Sequence, residues 1–361
     1  VFQANAQKFV RGKFDPRWKT DTTNTIVNLR EFTSLMPRDG FEVFNNPGFI
    51  NREEALNFYF KFEPVIAIEI EGEARAYPLN VLTFHEIAND EIKGIPIAVT
   101  YCPLCNAGIV YDRRFKHKDK EYVFDFAVSG MLRKSDMVMW DKQTETWWQQ
   151  LTGEGLVGEL SGEMLNFLPS LIISVEEFFS SYPDGKIMLS HKQNNYGRTY
   201  GSNPYHNYDS LGNQGSRFFD EEVDDRLPAM ERVVDIENGG AYKIYPFKKI
   251  RKKKVINDDF KGKQIVIFYA GKTISVLDKK NIEDSHHVGT VTVFSSIVDG
   301  KRLTFKPKKG KYIDLETESV WEITGKCVEG SYKGKQLVTE VHSNHFAFAW
   351  LAFHPESEIF E

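Results

Sequence analysis

The chain has 361 residues, 41% hydrophobic and 27% charged, which is enough for two ordinary domains and a substantial buried core. A formal net charge of −5 argues against nucleic acid as a main partner and leaves a small ligand or a protein. No apolar run reaches the roughly 18 residues of a membrane helix, so no transmembrane segment is expected, and three cysteines are too few for a disulfide scaffold.

Residues 1–62 are polar and broken by the turn signals Asp15-Pro16, Pro37-Arg38-Asp39-Gly40 and Asn46-Pro47-Gly48, and read as an N-terminal lead-in. Its one helical piece is Asn51 to Asn57, with Asn51 as N-cap. From there on the chain matches itself. A shift of 168 carries Glu63, Val65, Ile68, Glu69, Tyr77, Pro78, Asn89, Asp90 and Gly94 onto Glu231, Val233, Ile236, Glu237, Tyr245, Pro246, Asn257, Asp258 and Gly262. Shifts of 173 and then 172 carry Asp141, Thr144 and Trp148 onto Asp314, Thr317 and Trp321, and Gly153, Pro183 and Ile187 onto Gly325, Pro355 and Ile359. Two tandem copies of one β-rich unit are therefore expected, at 63–190 and 228–361, joined by a bridging loop at 191–227.

Within each unit short β-branched or aromatic runs bounded by Gly, Pro or charge predict strands. They are Val65–Ile70, Ile97–Tyr101, Gly108–Arg113 and Glu121–Val128, then Ile265–Tyr269, Thr290–Phe294 and Arg302–Phe305. Helices are predicted from Pro78, at the first helical position, to about Ala88, and over Val175–Ser181 and Ala347–Phe353. The fold class is α+β, predominantly β, with a few short helices.

The strongest chemical signal is Tyr101-Cys102-Pro103-Leu104-Cys105. A flat strand would hold Cα atoms three residues apart at about 10 Å, whereas a turn started by proline brings them within about 7 Å, inside the range of a shared ion or a disulfide. The second copy has Tyr269-Ala270-Gly271-Lys272-Thr273 at this place, and Lys253 opposite His85. A histidine and a sulfur pair absent together fit one site built from Cys102, Cys105 and His85. A lone histidine on an apolar face is, however, commonly a satisfied core residue.

His342 and His345, three apart, are further candidate metal ligands if they share a helix face, and His286-His287 sit in a loop. Cys327 reads as a buried free thiol, and the basic run Lys248 to Lys254 as a solvated face. No nucleotide cofactor is expected. Gly271-Lys272-Thr273 lacks the earlier glycine of a phosphate loop, and no dinucleotide fingerprint is present. His85-Glu86 lacks the second histidine of a zinc-protease helix, since Asn89 stands there, and Val128-Ser129-Gly130 lacks the first glycine of a nucleophile elbow.

Three passages resemble the domain of unknown function 3179 family. They are Thr83-Phe84-His85-Glu86-Ile87-Ala88-Asn89-Asp90 running into Tyr101-Cys102-Pro103-Leu104-Cys105, the stretch Val128 to Asp141 with Thr144 to Trp148, and Phe346 to Pro355. The resemblance covers most of the chain after Phe62. It implies no settled activity, and an extracytoplasmic place in the periplasm or cell envelope. Asn106 stands where the family pattern has glycine, and Phe346-Ala347-Phe348 where a tryptophan is common.

Three functional readings follow. The first is a soft-metal site, copper or zinc, on Cys102, Cys105 and His85, with His342 and His345 as further ligands. The second is thiol–disulfide chemistry with Cys102 attacking and Cys105 resolving, although the strand-like run after the pair offers no helix start to lower a thiol pKa. The third is a binding or assembly protein with a structural disulfide, whose groove is lined by Tyr101, Ser129, Arg133, Asp136 and Trp140.

Overall fold

Two-residue turns in the left-handed region set the register of the main hairpins in this computed structural model, which describes residues 14–189 and 200–361. Pro64–Ile70 pairs with Glu73–Pro78 across Glu71-Gly72, whose φ values are 50° and 82°. Ile87–Ile92 pairs with Ile95–Cys102 across Lys93-Gly94, at 51° and 76°. Residues 1–13 of the lead-in and 191–199 of the bridge lie outside the described residues.

The fold is α+β and predominantly β, with five short α-helices among the described residues. The helix predicted from Pro78 runs from Leu79 to His85, with Pro78 as its N-cap. It stops at Glu86, whose φ of 60° cannot continue a right-handed helix. Ala88 therefore lies on the strand Ile87–Ile92 and does not share a helix face with Val81 and His85. The predicted helices Val175–Ser181 and Ala347–Phe353 have those bounds. The predicted strand Glu121–Val128 is instead the end of one hairpin, Lys120–Val123, and the start of another strand, Phe126–Arg133.

The described part of the lead-in is woven into the sheets. Phe32–Ser34 is an edge strand beside Phe126–Arg133, Phe44–Asn45 pairs with the strand Ile87–Ile92, and Phe49–Ile50 with Lys186–Met188. Asn51 caps the helix Arg52–Ala55 by accepting the Glu54 N–H, while the Glu54 carboxylate takes the Asn51 N–H.

The second half runs through the same order of elements: Arg232–Asn238, Ala241–Pro246, the helix Phe247–Lys253 begun after Pro246, then Val255–Phe260 and Lys263–Ala270. Its internal hydrogen bonds recur too. Tyr77 donates to Asp90 at 2.6 Å and Tyr245 to Asp258 at 2.7 Å. Trp148 Nε1 donates to Asp141 at 2.9 Å and Trp321 Nε1 to Asp314 at 2.8 Å. Asn89 bonds both backbone groups of Phe126, and Asn257 both of Phe305.

One hydrophobic core runs through both halves, joining Val65, Val99 and Phe178 to Val266, Phe268 and Phe348. At the seam each half reaches into the other. Phe346 N–H donates to the Cys105 carbonyl at 2.9 Å, Ser343 Oγ to the Gly108 carbonyl at 2.7 Å, and Thr290 Oγ1 to the Glu177 carboxylate at 2.7 Å.

Asp141 accepts from Trp148 Nε1, the Thr144 N–H and the Thr144 hydroxyl, so Asp141→Ala leaves buried donors unpaired. The expected cost is about 2–4 kcal/mol in urea unfolding, with a similar loss for Asp314→Ala. A loss below about 1 kcal/mol would show that these bonds do not hold the hairpin.

Candidate functional site

The cysteine pair sits in the loop between Ile95–Cys102 and Ala107–Asp112, whose last paired residues are Cys102 and Ala107. Pro103 begins the turn and its carbonyl accepts the Asn106 N–H at 3.3 Å. Asn106 takes φ 53°, which glycine adopts freely and asparagine better than most other residues. That accounts for Asn106 at a glycine position. The Tyr101 hydroxyl donates to the Asn106 side chain at 3.4 Å, and the Tyr208 hydroxyl to the Leu104 carbonyl at 2.8 Å, so side chains from both sides brace the loop.

Both thiols are free and buried. Beside them stands Asp136, fully buried, and one ligand atom each from Cys102, Cys105 and Asp136 lie within 4.8 Å of one another. Asp136 opens a strand after the turn Lys134-Ser135, where both residues take positive φ, 49° and 70°, without a glycine. Its Oδ2 accepts from Gln149 Nε2 at 2.7 Å and from the Leu151 N–H at 2.9 Å, while its Oδ1 has no N–H or O–H donor and only the two thiols act on the carboxyl besides. Cys105 S–H points to the Ser135 carbonyl at 3.5 Å.

Burial dominates the electrostatics. It pushes both thiols up, Cys105 further than Cys102, and raises the Asp136 carboxyl to about 6 against the opposing pull of the Gln149 and Leu151 donors. Glu86, at the C-cap of the Leu79–His85 helix, keeps some surface, yet the apolar atoms around its carboxyl and then the Asp136 charge push it up to about 8. Asp136, which resists ionisation, thus stands beside two thiols that resist it as well. A strand follows the pair, so no helix N-terminus favours a thiolate.

His85 stands outside this cluster. Its Nδ1 bonds the Glu42 carbonyl, its Nε2 the Tyr200 hydroxyl at 2.7 Å, and Phe44 packs on its ring. His342 and His345 do not share a helix face, because Asn344–Phe346 is a strand paired with Arg232–Asn238. They line instead a cleft of about 610 Å³ between the halves. Ser129 serves a strand bulge, donating to the Val138 carbonyl and accepting from the Met131 N–H. Trp140 packs under the lead-in against Trp18 and the Arg38 guanidinium. Arg133 lines the cleft and donates to Gln149 Oε1 at 3.3 Å, which links it through that amide to Asp136.

His286 joins Asp209 and Asp278 in a second cluster, but Arg232 and Ser275 already bond Asp209, tying the bridge to the second half, and His286 bonds Asp278. Cys327 is a buried free thiol pointing to the Glu329 carbonyl. Sequence reasoning placed Asp136 in a groove and missed its position beside the sulfurs, and it missed Glu86, Gln149, Asp235 and His354. The available signal was an acid opening the apolar run Met137-Val138-Met139-Trp140.

These features define a β-rich α+β protein built around a buried dithiol–carboxylate cluster at a seam between two halves. The chain belongs to the family described as "Protein of unknown function (DUF3179)", whose pattern matches residues 38–357, nearly the whole length. No curated protein and no solved structure matches it.

An acid whose folded pKa is raised binds its proton more tightly when folded, so its stabilisation is complete below the ordinary carboxylate value of about 4 and is lost as pH rises through about 6. In metal-free protein Asp136→Asn is expected to flatten the pH dependence of urea unfolding, gaining roughly 3 kcal/mol on the wild type between pH 4 and pH 8. Parallel curves for the two proteins would rule this out. Asn106→Gly suits the positive φ but removes the acceptor of the buried Tyr101 hydroxyl and should cost about 1 kcal/mol, whereas Asn106→Val loses both and should cost about 2–3 kcal/mol by the same measurement.

Proposed function

We propose that Cys102, Cys105 and Asp136 bind one thiophilic metal ion, with zinc favoured over copper(I) because the third ligand is a hard carboxylate oxygen. The observation that carries this reading is the buried Asp136 carboxyl, whose Oδ1 meets no N–H or O–H donor and has only the two thiols beside it, in a cluster whose three ligand atoms lie within 4.8 Å. An ion would give that oxygen a partner and replace two thiol protons that burial otherwise retains. Three protein ligands leave a fourth position for Glu86 or for an outside molecule.

A second reading is supported by Asp136 itself. A carboxylate held at about 6 beside a free dithiol can accept a thiol proton, leaving a thiolate to attack a partner disulfide. The second sulfur would then release the partner as a dithiol, with two electrons and two protons passing to it. Tyr208 and Phe346 cover the loop, so a partner would have to displace them, and this reading ranks behind the first.

We further infer that the two halves are copies of one duplicated unit. The support is the recurrence of the Tyr–Asp, Trp–Asp and Asn–backbone bonds at matching positions. On that reading the thiol pair is an acquisition or retention of the first copy alone.

Protein purified without chelator is expected to contain about one equivalent of zinc by elemental analysis. Cys102→Ser or Cys105→Ser should abolish it, and Asp136→Asn should weaken binding at least roughly tenfold. His85→Ala should leave it intact. Calorimetry in buffers of different ionisation enthalpy should show about two protons released per ion. Metal-free protein whose pair exchanges readily with a small disulfide would favour the second reading.

A further inference from the structure

The cleft between the halves lies apart from the thiol cluster and is linked to it through Gln149 and Arg133. One wall is a run of rings: Tyr242 and His354 have centroids 3.9 Å apart, His354 and Trp350 4.5 Å, and Trp350 and His345 4.8 Å. At its inner end His345, with its side chain 1% exposed, has its Nε2 at 3.1 Å from Asp235 Oδ1. The Ser343 N–H holds that same carboxylate oxygen at 2.8 Å. The proton on Nε2 goes to Asp235, so in the neutral imidazole Nδ1 carries the lone pair, and this buried nitrogen has no hydrogen-bond partner.

On the duplication inferred above, this set is particular to the second copy. The corresponding first-half positions hold Ala67 for Asp235, Ile173 for His345, Phe178 for Trp350 and Tyr182 for His354. There the matching hollow is about 300 Å³, half the size, and has no imidazole. The cations at the cleft are already engaged. Arg133 pairs with Glu31, Lys134 with Glu221 and Lys263 with Glu340. Burial also holds His342 and His354 toward their neutral forms. The site thus offers a stack of rings, a buried acceptor at its inner end and no spare positive charge, beside the Glu154 and Glu237 carboxylates that also line it.

We propose that this cleft binds a small, flat, uncharged aromatic molecule with a phenolic O–H or ring N–H, packed along the Tyr242–His354–Trp350 wall and donating to His345 Nδ1. A ring suits a wall of rings, and a buried acceptor rejects a ligand that leaves it empty. About 610 Å³ accommodates a bicyclic molecule with room for substituents.

Equilibrium dialysis of the full chain at pH 7 against 2-naphthol and 2-methoxynaphthalene, which lacks the O–H, tests this without any substitution. Saturable one-to-one binding of 2-naphthol is expected, with the ether roughly tenfold weaker or worse. In His345→Phe, which keeps the ring and loses the acceptor, the two should bind alike, with a melting temperature near that of wild type as the folding control. Failure of 2-naphthol to bind up to millimolar concentration, equal binding of both probes to the unmodified chain, or discrimination surviving in a folded His345→Phe would each overturn the proposal. None of these outcomes depends on metal at Cys102 and Cys105, so Cys102→Ser should bind 2-naphthol unchanged.

Discussion

A single backbone hydrogen bond, from the Phe346 N–H to the Cys105 carbonyl, joins the loop that carries the sulfurs to the far end of the chain. A four-residue loop cannot satisfy all of its own carbonyls, and in a buried place each one left bare is costly. The second half and the bridge supply what the loop lacks, Phe346 for Cys105 and Tyr208 for Leu104. With the loop sealed, solvent is excluded from Asp136 and both thiols, and desolvation then governs their protonation. The chemistry of the cluster is a consequence of how the halves close on each other.

Much of the fold was legible because it is written in local signals. Val175–Ser181 follows a Ser174 cap with Glu177 three residues on, and the left-handed turns are marked by Gly72, Gly94 and Gly262. Where local signals were misleading, a competing pairing decided the outcome. The apolar spacing past His85 continued to Ala88, but Ile87–Ile92 gains a full antiparallel partner in Ile95–Cys102, and Glu86 accepts the left-handed turn that this requires. The lead-in looked polar and broken because its edge strands are only two or three residues long, too short to display an alternation.

The site was half legible. Two cysteines around a proline announce themselves, whereas Asp136 comes from a separate hairpin and meets them only through the stacking of two sheets. His85 illustrates the opposite error. Its place on the helix after Pro78 suggested a ligand, but the lead-in and Tyr200 take both ring nitrogens. Comparing the halves was more informative than spacing alone. It assigns the sulfurs to the first half and the Asp235–His345 pair to the second, with Gln149 and Arg133 between the first site and the cleft.

The distance in sequence between Cys105 and Phe346 has a consequence for biogenesis. A ribosome delivers the hairpin long before it delivers the strand that roofs it, and a contact so remote in the chain forms late. Until that strand arrives, nothing from it can cover the two thiols. The nascent polypeptide therefore has a period of easy exchange with its surroundings that the finished molecule lacks. The surroundings in which the last strand docks will determine what is trapped beneath it.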